Sequence, residues 1–187
     1  MEQYTSANVE MAVLQFYYQG ASQETHQWLT SAQMSTSAWN FAWELLMPGK
    51  KPEVQFFGAS TIAIKVSKFW HEVPSEQVEK NILFSFVVCG VVFHFLSLLQ
   101  YDALRKRIID TLTTYKGLRI VLTRLCVALA SVVIKSIPGH WEKPIQDILT
   151  IFSGNSTLLF EILTVIPEEF STQVRAMIFR LLYLGNL

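Results

Sequence analysis

The sequence predicts an all-α protein, and two features of its apolar residues lead to that prediction. Nearly every segment between short breaks of Gly, Pro or Ser has apolar residues three and four positions apart, the spacing of a helix with one buried face. No segment alternates apolar and polar residues convincingly, as a half-buried strand does. An apolar residue followed by proline recurs, and each pair predicts the end of a helix: Val73-Pro74, Ile137-Pro138 and Ile166-Pro167.

Two short helices are predicted first. Asn8 or Ser6 is placed to cap the first helix, which we expect to end near Gly20. Ser22 is placed to cap the second, and Ser35 begins a third, which contains the sequence SAWNFAWELL. These side chains serve as caps because their oxygens accept hydrogen bonds from the free N–H groups of the first turn.

The third helix has one apolar face and one polar face. Trp39 and Trp43 fall on the apolar face, while Asn40 and Glu44 fall on the polar face. Together with Trp70, these tryptophans could be imagined as a platform on which a ligand stacks. Aromatic residues at helical spacing are far more often part of a core, and we interpret all three in that way.

The fourth predicted helix, Pro52–Trp70, is the element around which the others are organised. Its proline stands in the first turn, where a missing N–H costs nothing. Its broad apolar stripe requires neighbours on both sides, and Lys65 and Lys68 are expected on the exposed face. Four further helices are predicted after it, in the segments YDALRKRIIDTLTTY, LRIVLTRLCVALASVVIKSI, EKPIQDILTIF and NSTLLFEILTVI.

One uncharged segment, Asn81–Tyr101, interrupts this pattern. Its sequence, NILFSFVVCGVVFHFLSLLQY, follows no helical face and is apolar all round. At about 1.5 Å per residue, a helix of this length spans roughly the 30 Å of a bilayer core. Hydropathy alone therefore favours a single-pass membrane protein with its span at 81–100, whose C-terminal side is placed in the cytosol by Arg105, Lys106 and Arg107.

An alternative treats Val78–Gln100 as an insert. Without it, the flanking sequences join into one capped amphipathic helix, VPSEQYDALRKRIIDTLTTY. The distance from Pro74 to Pro138 then falls within the roughly 40–47 residues of stacked helix-pair repeats. Valine codons begin with GT and CAG encodes glutamine, so the segment is interpreted as an in-frame retained intron. The C-terminal segment Val174–Leu187 is interpreted in the same way.

Composition and motifs argue against several functional classes. The chain has 187 residues with 15 basic and 15 acidic side chains, so its net charge does not favour binding to nucleic acid. The histidines lie far apart without an HExxH or paired spacing, and neither cysteine has metal-ligand spacing. No Gly-rich phosphate loop or GxSxG elbow is present. The sequence predicts no enzyme, no metal and no cofactor.

Several segments, taken in order, match one known family. They are QFYYQ, WLTSAQMSTSAWNFAWELL, PEVQFFGASTIAIKVSKFW, YDALRKRI, RIVLTRLCVALASVVI and LFEILTVIPEEF. With them the chain resembles the N-terminal region of the importin-β (karyopherin) superfamily, and within it the importin-13 branch. The resemblance covers roughly Val9–Gln77 and Tyr101–Gln173. Several contiguous segments in the right order are far more specific than any single motif.

The resemblance implies a HEAT/armadillo-type helical-repeat solenoid of about four antiparallel helix pairs, interrupted by the apolar insert. The chain is divided accordingly into N-terminal HEAT repeats at 1–77, the insert at 78–100, further repeats at 101–173 and an atypical tail at 174–187. Repeat stacks need terminal repeats with a polar outer face. We therefore expect the last helix of this chain to expose an apolar side.

The resemblance also implies a nuclear transport receptor that shuttles between nucleus and cytoplasm. Such receptors bind the small GTPase Ran in its GTP form, carry protein cargo, and have nucleoporins as further candidate partners. The candidate Ran-facing residues lie on the second helix of the first two pairs: Asn40, Glu44, Asp102, Arg105 and Lys106. A solvated polar face is the plainer reading of these residues. Two alternative functions remain: the single-pass membrane protein described above, and a helical scaffold that binds another partner.

Overall fold

The computed structural model describes residues 4–20, 22–73, 92–137 and 141–183, with only the helical backbone described at 92–99 and 176–183. Within those ranges the secondary structure is helical throughout, which confirms the predicted all-α class. The elements are α1 (Ser6–Tyr18), α2 (Gln23–Met34), α3 (Ala38–Leu45), α4 (Pro52–Lys68), a 3-10 turn (Trp70–Glu72), α5 (Val92–Thr114), α6 (Arg119–Ser136), α7 (Pro144–Ile151) and α8 (Ser156–Tyr183).

These helices stack in two layers. The first layer consists of α1, α4, α6 and α8, in which each helix packs against the next and α4 packs most extensively against α6. The second layer consists of α2, α3, α5 and α7. It packs on the first layer through α3, which contacts α4, and through α5, which contacts α6. From α3 onward, successive helices alternate between the two layers, which is the arrangement of a helical-repeat solenoid.

The core lies between the two layers and confirms the prediction for the tryptophans. Trp39 and Trp43 are buried at 1% and 6% exposure, and Trp70 is partly buried and stacks on Tyr101 with ring centroids 4.2 Å apart. Gly58 lets α4 approach α3, because a Cβ at that position would lie 2.7 Å from the backbone oxygen of Ala42. The close contact explains why this position of a long helix lacks a side chain.

The helix starts are confirmed for α2 and α4 and wrong by one to three residues for α1 and α3. Thr5, rather than Ser6 or Asn8, caps α1, and its hydroxyl accepts a hydrogen bond from the Asn8 N–H at 3.2 Å. Ser22 caps α2 as predicted. Ser35 ends α2 instead of beginning α3, since its hydroxyl donates to the carbonyl oxygen of Ala32 at 2.7 Å. The sequence pattern cannot distinguish which of several adjacent hydroxyl residues caps a helix, because all of them can accept the same hydrogen bond; the local backbone geometry decides.

The predicted helix end at Ile166-Pro167 is wrong. Pro167 lies inside α8, which continues to Tyr183. A proline removes one helical hydrogen bond, and here the turn that follows it is held from outside. The carboxylate of Glu169 accepts hydrogen bonds from Ser131 of α6 at 2.9 Å and from Ser67 of α4 at 3.3 Å. The other two predicted helix ends are confirmed: α6 ends at Ser136, before Ile137-Pro138, and the 3-10 turn ends at Glu72, before Val73-Pro74.

The prediction that Lys65 lies on an exposed face is also wrong, whereas Lys68 is exposed as expected. The Lys65 side chain is 0% exposed, and its ammonium lies 2.7 Å from a carboxylate oxygen of Glu72. The 3-10 turn after α4 folds back and brings Glu72 to it, and the Phe69 ring centroid lies 4.3 Å from the same ammonium. A lysine is tolerated in a core only when its charge is paired in this way.

The apolar segment at 81–100 lies mostly outside the described residues, as does most of the 78–100 insert. In the part of the chain that the structure describes, no helix is long and apolar enough to cross a membrane. The expectation that the last helix exposes an apolar side is confirmed. Phe160 and Phe170 of α8 are 67% and 56% exposed, and Leu149 of α7 is 45% exposed.

Candidate binding surface of the second helix layer

Helix α5 is the centre of the candidate surface. Leu104, Ile108 and Leu112 recur every four residues and are buried at 0–2% exposure against the rest of the core. Because one side of α5 is fixed inward in this way, Asp102 and Lys106 are exposed to solvent. The apolar spacing therefore determines which charges of α5 a partner can reach.

Two arginine–tryptophan contacts hold α5 between its neighbours in the second layer. The guanidinium of Arg107 lies 4.3 Å from the ring centroid of Trp43 on α3. The guanidinium of Arg105 lies 4.8 Å from the ring of Trp141, just before α7. Trp141 is held in turn because its indole N–H donates to Asp147 at 2.6 Å. Such cation–π contacts contribute roughly 0.5–2 kcal/mol each, and here they set the spacing of α3, α5 and α7.

All five residues predicted to face a partner lie in the second layer, four of them exposed. Asn40 and Glu44 are exposed on α3, and Lys106 is exposed on α5. Asp102 and Arg105 form an ion pair with 3.0 Å between Nη2 and Oδ1. Arg105 is only 27% exposed and is engaged by both this carboxylate and Trp141. Of the five, Arg105 is therefore the one with a structural task of its own.

Arg107 is the residue of this surface that sequence reasoning missed. Its side chain is exposed at the surface, and partial loss of hydration lowers the pKa of its guanidinium. The sequence shows only a third basic residue in the run Arg105 to Arg107. Its partner Trp43 lies far away in the chain, so no local pattern could have identified the contact.

A groove lies on each side of α5. The larger, about 700 Å³, runs between α5, the end of α3 and the loops that follow these two helices. The smaller, about 240 Å³, lies between α5 and α7 and is lined by Arg105, Ile109 and Trp141 among others. Both grooves are open at the surface of the second layer.

Reactive side chains contribute little to this surface. Cys126 is buried in α6, and burial raises the pKa of its thiol to about 12, which keeps it protonated at neutral pH. Within residues 4–20, 22–73, 92–137 and 141–183, no three His, Cys, Asp or Glu side chains are grouped to hold a metal ion.

Two family models match the chain. Residues 25–82 match the model described as importin-beta N-terminal domain. Residues 118–178 match the model described as exportin 1-like protein. The first match contains α3 and α4, and the second contains α6 and α7 and most of α8, so the two together include helices of both layers.

Curated relatives extend the similarity to most of the chain. The chain is 36% identical over 182 residues to importin-13 of Homo sapiens, which covers 90% of this chain and 16% of that protein. It is 31% identical over 183 residues to importin-13 of Gallus gallus, with 90% and 17% covered. It is 30% identical over 183 residues to importin-13 homolog A of Dictyostelium discoideum, with 89% and 15% covered. The chain thus spans less than a fifth of the length of these relatives.

Proposed function

Because the chain belongs to the importin-β superfamily and matches its N-terminal region, we propose that it acts in nuclear transport as part of an importin-13-like receptor. Its task is binding rather than catalysis. Its partners are the small GTPase Ran in its GTP form and protein cargo, and it shuttles between nucleus and cytoplasm. Nucleoporins are the third partner class that this role requires.

The observation that carries the proposal is the exposed polar side of the second layer. Asn40 and Glu44 on α3, together with Asp102 and Lys106 on α5, are exposed in neighbouring helices that Arg107 and Trp43 hold together. Charges of both signs stand in this surface, as in interfaces where electrostatic complementarity sets orientation and association rate. We assign the Ran contact to this side of α3 and α5.

The proposed mechanism is a difference in affinity between conformations of the solenoid. Helices within each layer contact only their neighbours, so small rotations at successive contacts add up to a change in curvature. Ran-GTP and cargo each favour the curvature that they bind best, and one therefore changes the affinity for the other. The arginine–tryptophan contacts of α5 are the points at which this curvature is set in the second layer.

The assignment of the surface is tested with two charge reversals at exposed lysines. Lys106→Glu alters the second layer, and Lys68→Glu alters the first layer and serves as the matched control. Affinity for Ran loaded with a non-hydrolysable GTP analogue is measured by isothermal titration. We expect Lys106→Glu to weaken binding by about tenfold and Lys68→Glu to leave it unchanged. Equal effects of the two variants would exclude the second layer as the Ran surface.

We further propose that Val78–Gln100 is an insert that disrupts the second helix of the second pair, and that it hinders Ran binding because it directly precedes the exposed charges of α5. A variant that lacks these residues should bind Ran-GTP more tightly than the full chain. Equal affinities would contradict this placement. Transcript length across codons 77 to 101 tests the origin of the segment independently, because a retained intron predicts a shorter major product.

A further inference from the structure

The groove between α3 and α5 has a distinctive charge. Three of the side chains that line it are charged, and all three are basic: Lys50, Arg107 and Lys116. No aspartate or glutamate is among the lining residues. In a chain with 15 basic and 15 acidic residues, this local excess of positive charge is not a consequence of composition. It favours an anionic occupant.

Arg107 is the central cation of this groove. Lys50 already pairs with the carboxylate of Glu10 at the rim. For Arg107, no carboxylate of the described residues lies within ion-pair distance, and its positive charge faces the ring of Trp43. Arg107 is exposed at the surface of α5, where a partner can reach it, and it has no counter-ion among the described residues. A carboxylate brought by a partner would supply it.

One wall of the groove is apolar, and hydrogen bonds hold the two walls together. Leu46, Met47 and Pro48 form one side, and the Met47 side chain is 55% exposed. The opposite side is tied to it by a short hydrogen-bond chain. The Tyr115 hydroxyl donates to Gln55 at 2.8 Å, and the Gln55 amide donates to the carbonyl oxygen of Met47 at 3.1 Å. The groove is thus already formed before anything binds.

We propose that this groove binds an acidic peptide segment of a partner protein, with a carboxylate at Arg107 and Lys116 and an apolar side chain against Met47 and Pro48. A single-stranded nucleic acid is the less suitable occupant. Its bases would need a free aromatic face, and the guanidinium of Arg107 already lies over the Trp43 ring. The groove residues differ from the five assigned to Ran, so the proposal stands without the Ran assignment.

The proposal is tested on the full chain by fluorescence anisotropy. The probe is a fluorescein-labelled peptide in which leucines are flanked by glutamates, and the control peptide has lysines in place of the glutamates. Arg107→Gln removes the central charge. Lys116→Glu, at an exposed loop position, tests the same groove without touching the core. Lys68→Glu on the first layer is the matched control for the second variant.

We expect the acidic peptide to bind and the lysine peptide not to bind. Arg107→Gln should weaken binding by about tenfold or more, and Lys116→Glu by about threefold to tenfold. Affinity should fall as salt rises from about 0.05 to 0.3 M, because exposed charge pairs are screened. Three results would overturn the proposal: equal binding of both peptides, no effect of either groove variant, or tighter binding of a single-stranded oligonucleotide with the same sensitivity to Arg107→Gln.

Discussion

The buried pair Lys65–Glu72 allows a sharp prediction, because its two members differ in exposure. The Lys65 side chain is 0% exposed, whereas the Glu72 side chain is 28% exposed. Removing the carboxylate leaves a fully buried ammonium with only the rings of Phe69 and Trp39 beside it. Removing the ammonium leaves a carboxylate that water can reach. The two single substitutions should therefore have unequal effects on stability.

The magnitudes follow from what each change leaves behind. Glu72→Leu keeps the turn filled and water excluded, so the unpaired Lys65 should cost about 3–5 kcal/mol of unfolding free energy. Lys65→Met replaces the lysine by an apolar chain of similar length that fits beside Phe69 and Trp39. Since Glu72 can be hydrated, we expect this change to cost only about 1–2 kcal/mol. The double variant becomes an apolar contact and should lie within about 2 kcal/mol of the unmodified chain.

Urea unfolding followed by far-ultraviolet circular dichroism measures all four proteins, and the double-mutant cycle gives the coupling of the pair. The distinctive expectation is that adding Lys65→Met to Glu72→Leu restores stability. If Lys65→Met alone proves as costly as Glu72→Leu, or if the double variant is the least stable of the four, the reasoning about a buried charge is refuted.

Three further predictions concern packing, pH and reactivity. Gly58→Ala should lower the free energy of unfolding by about 1–3 kcal/mol, because the new Cβ would lie 2.7 Å from Ala42 and 3.0 Å from Leu45. The control Gly154→Ala adds a Cβ with no atom within 4 Å, and urea unfolding compares the two variants. The hydrogen bonds from Arg119 and then from Thr123 lower the pKa of Glu161. The contribution of ionised Glu161 to folding stability is complete above its unfolded pKa of about 4.3 and is lost as pH falls through the lower folded pKa. The melting temperature of Glu161→Gln should therefore fall less on acidification than that of the unmodified chain. Cys126, with a thiol pKa of about 12, should resist iodoacetamide at neutral pH until the chain is unfolded, as read by peptide mass spectrometry.

The elements of the fold could be predicted because they depend on local patterns. Pro52 at the start of α4, Ser22 before α2 and the buried Trp39 and Trp43 all follow from spacing and capping within one helix. The same local reasoning identified Lys106 as an exposed residue of α5. These features need no knowledge of the neighbouring helices.

Two of the failures have a common physical cause, which is a contact with a residue outside the helix in question. Lys65 is buried because the turn after α4 folds back onto it and brings Glu72. Helix α8 continues past Pro167, where Glu169 is held by Ser67 of α4 and Ser131 of α6, at 3.3 and 2.9 Å. Neither tertiary contact leaves a signal in the periodicity of a single helix, and the partnership of Arg107 with Trp43 is hidden for the same reason.

The measurement that tests the central proposal most directly is titration of the variant lacking Val78–Gln100 with Ran, loaded either with a non-hydrolysable GTP analogue or with GDP. A receptor that uses the exposed side of α3 and α5 for Ran-GTP should prefer the GTP form by at least about tenfold, a difference of about 1.4 kcal/mol. Lys106→Glu in the same variant should remove that preference. Equal affinity for the two nucleotide forms, or no binding of either, would contradict the assignment of this layer to Ran and favour a helical scaffold with another partner.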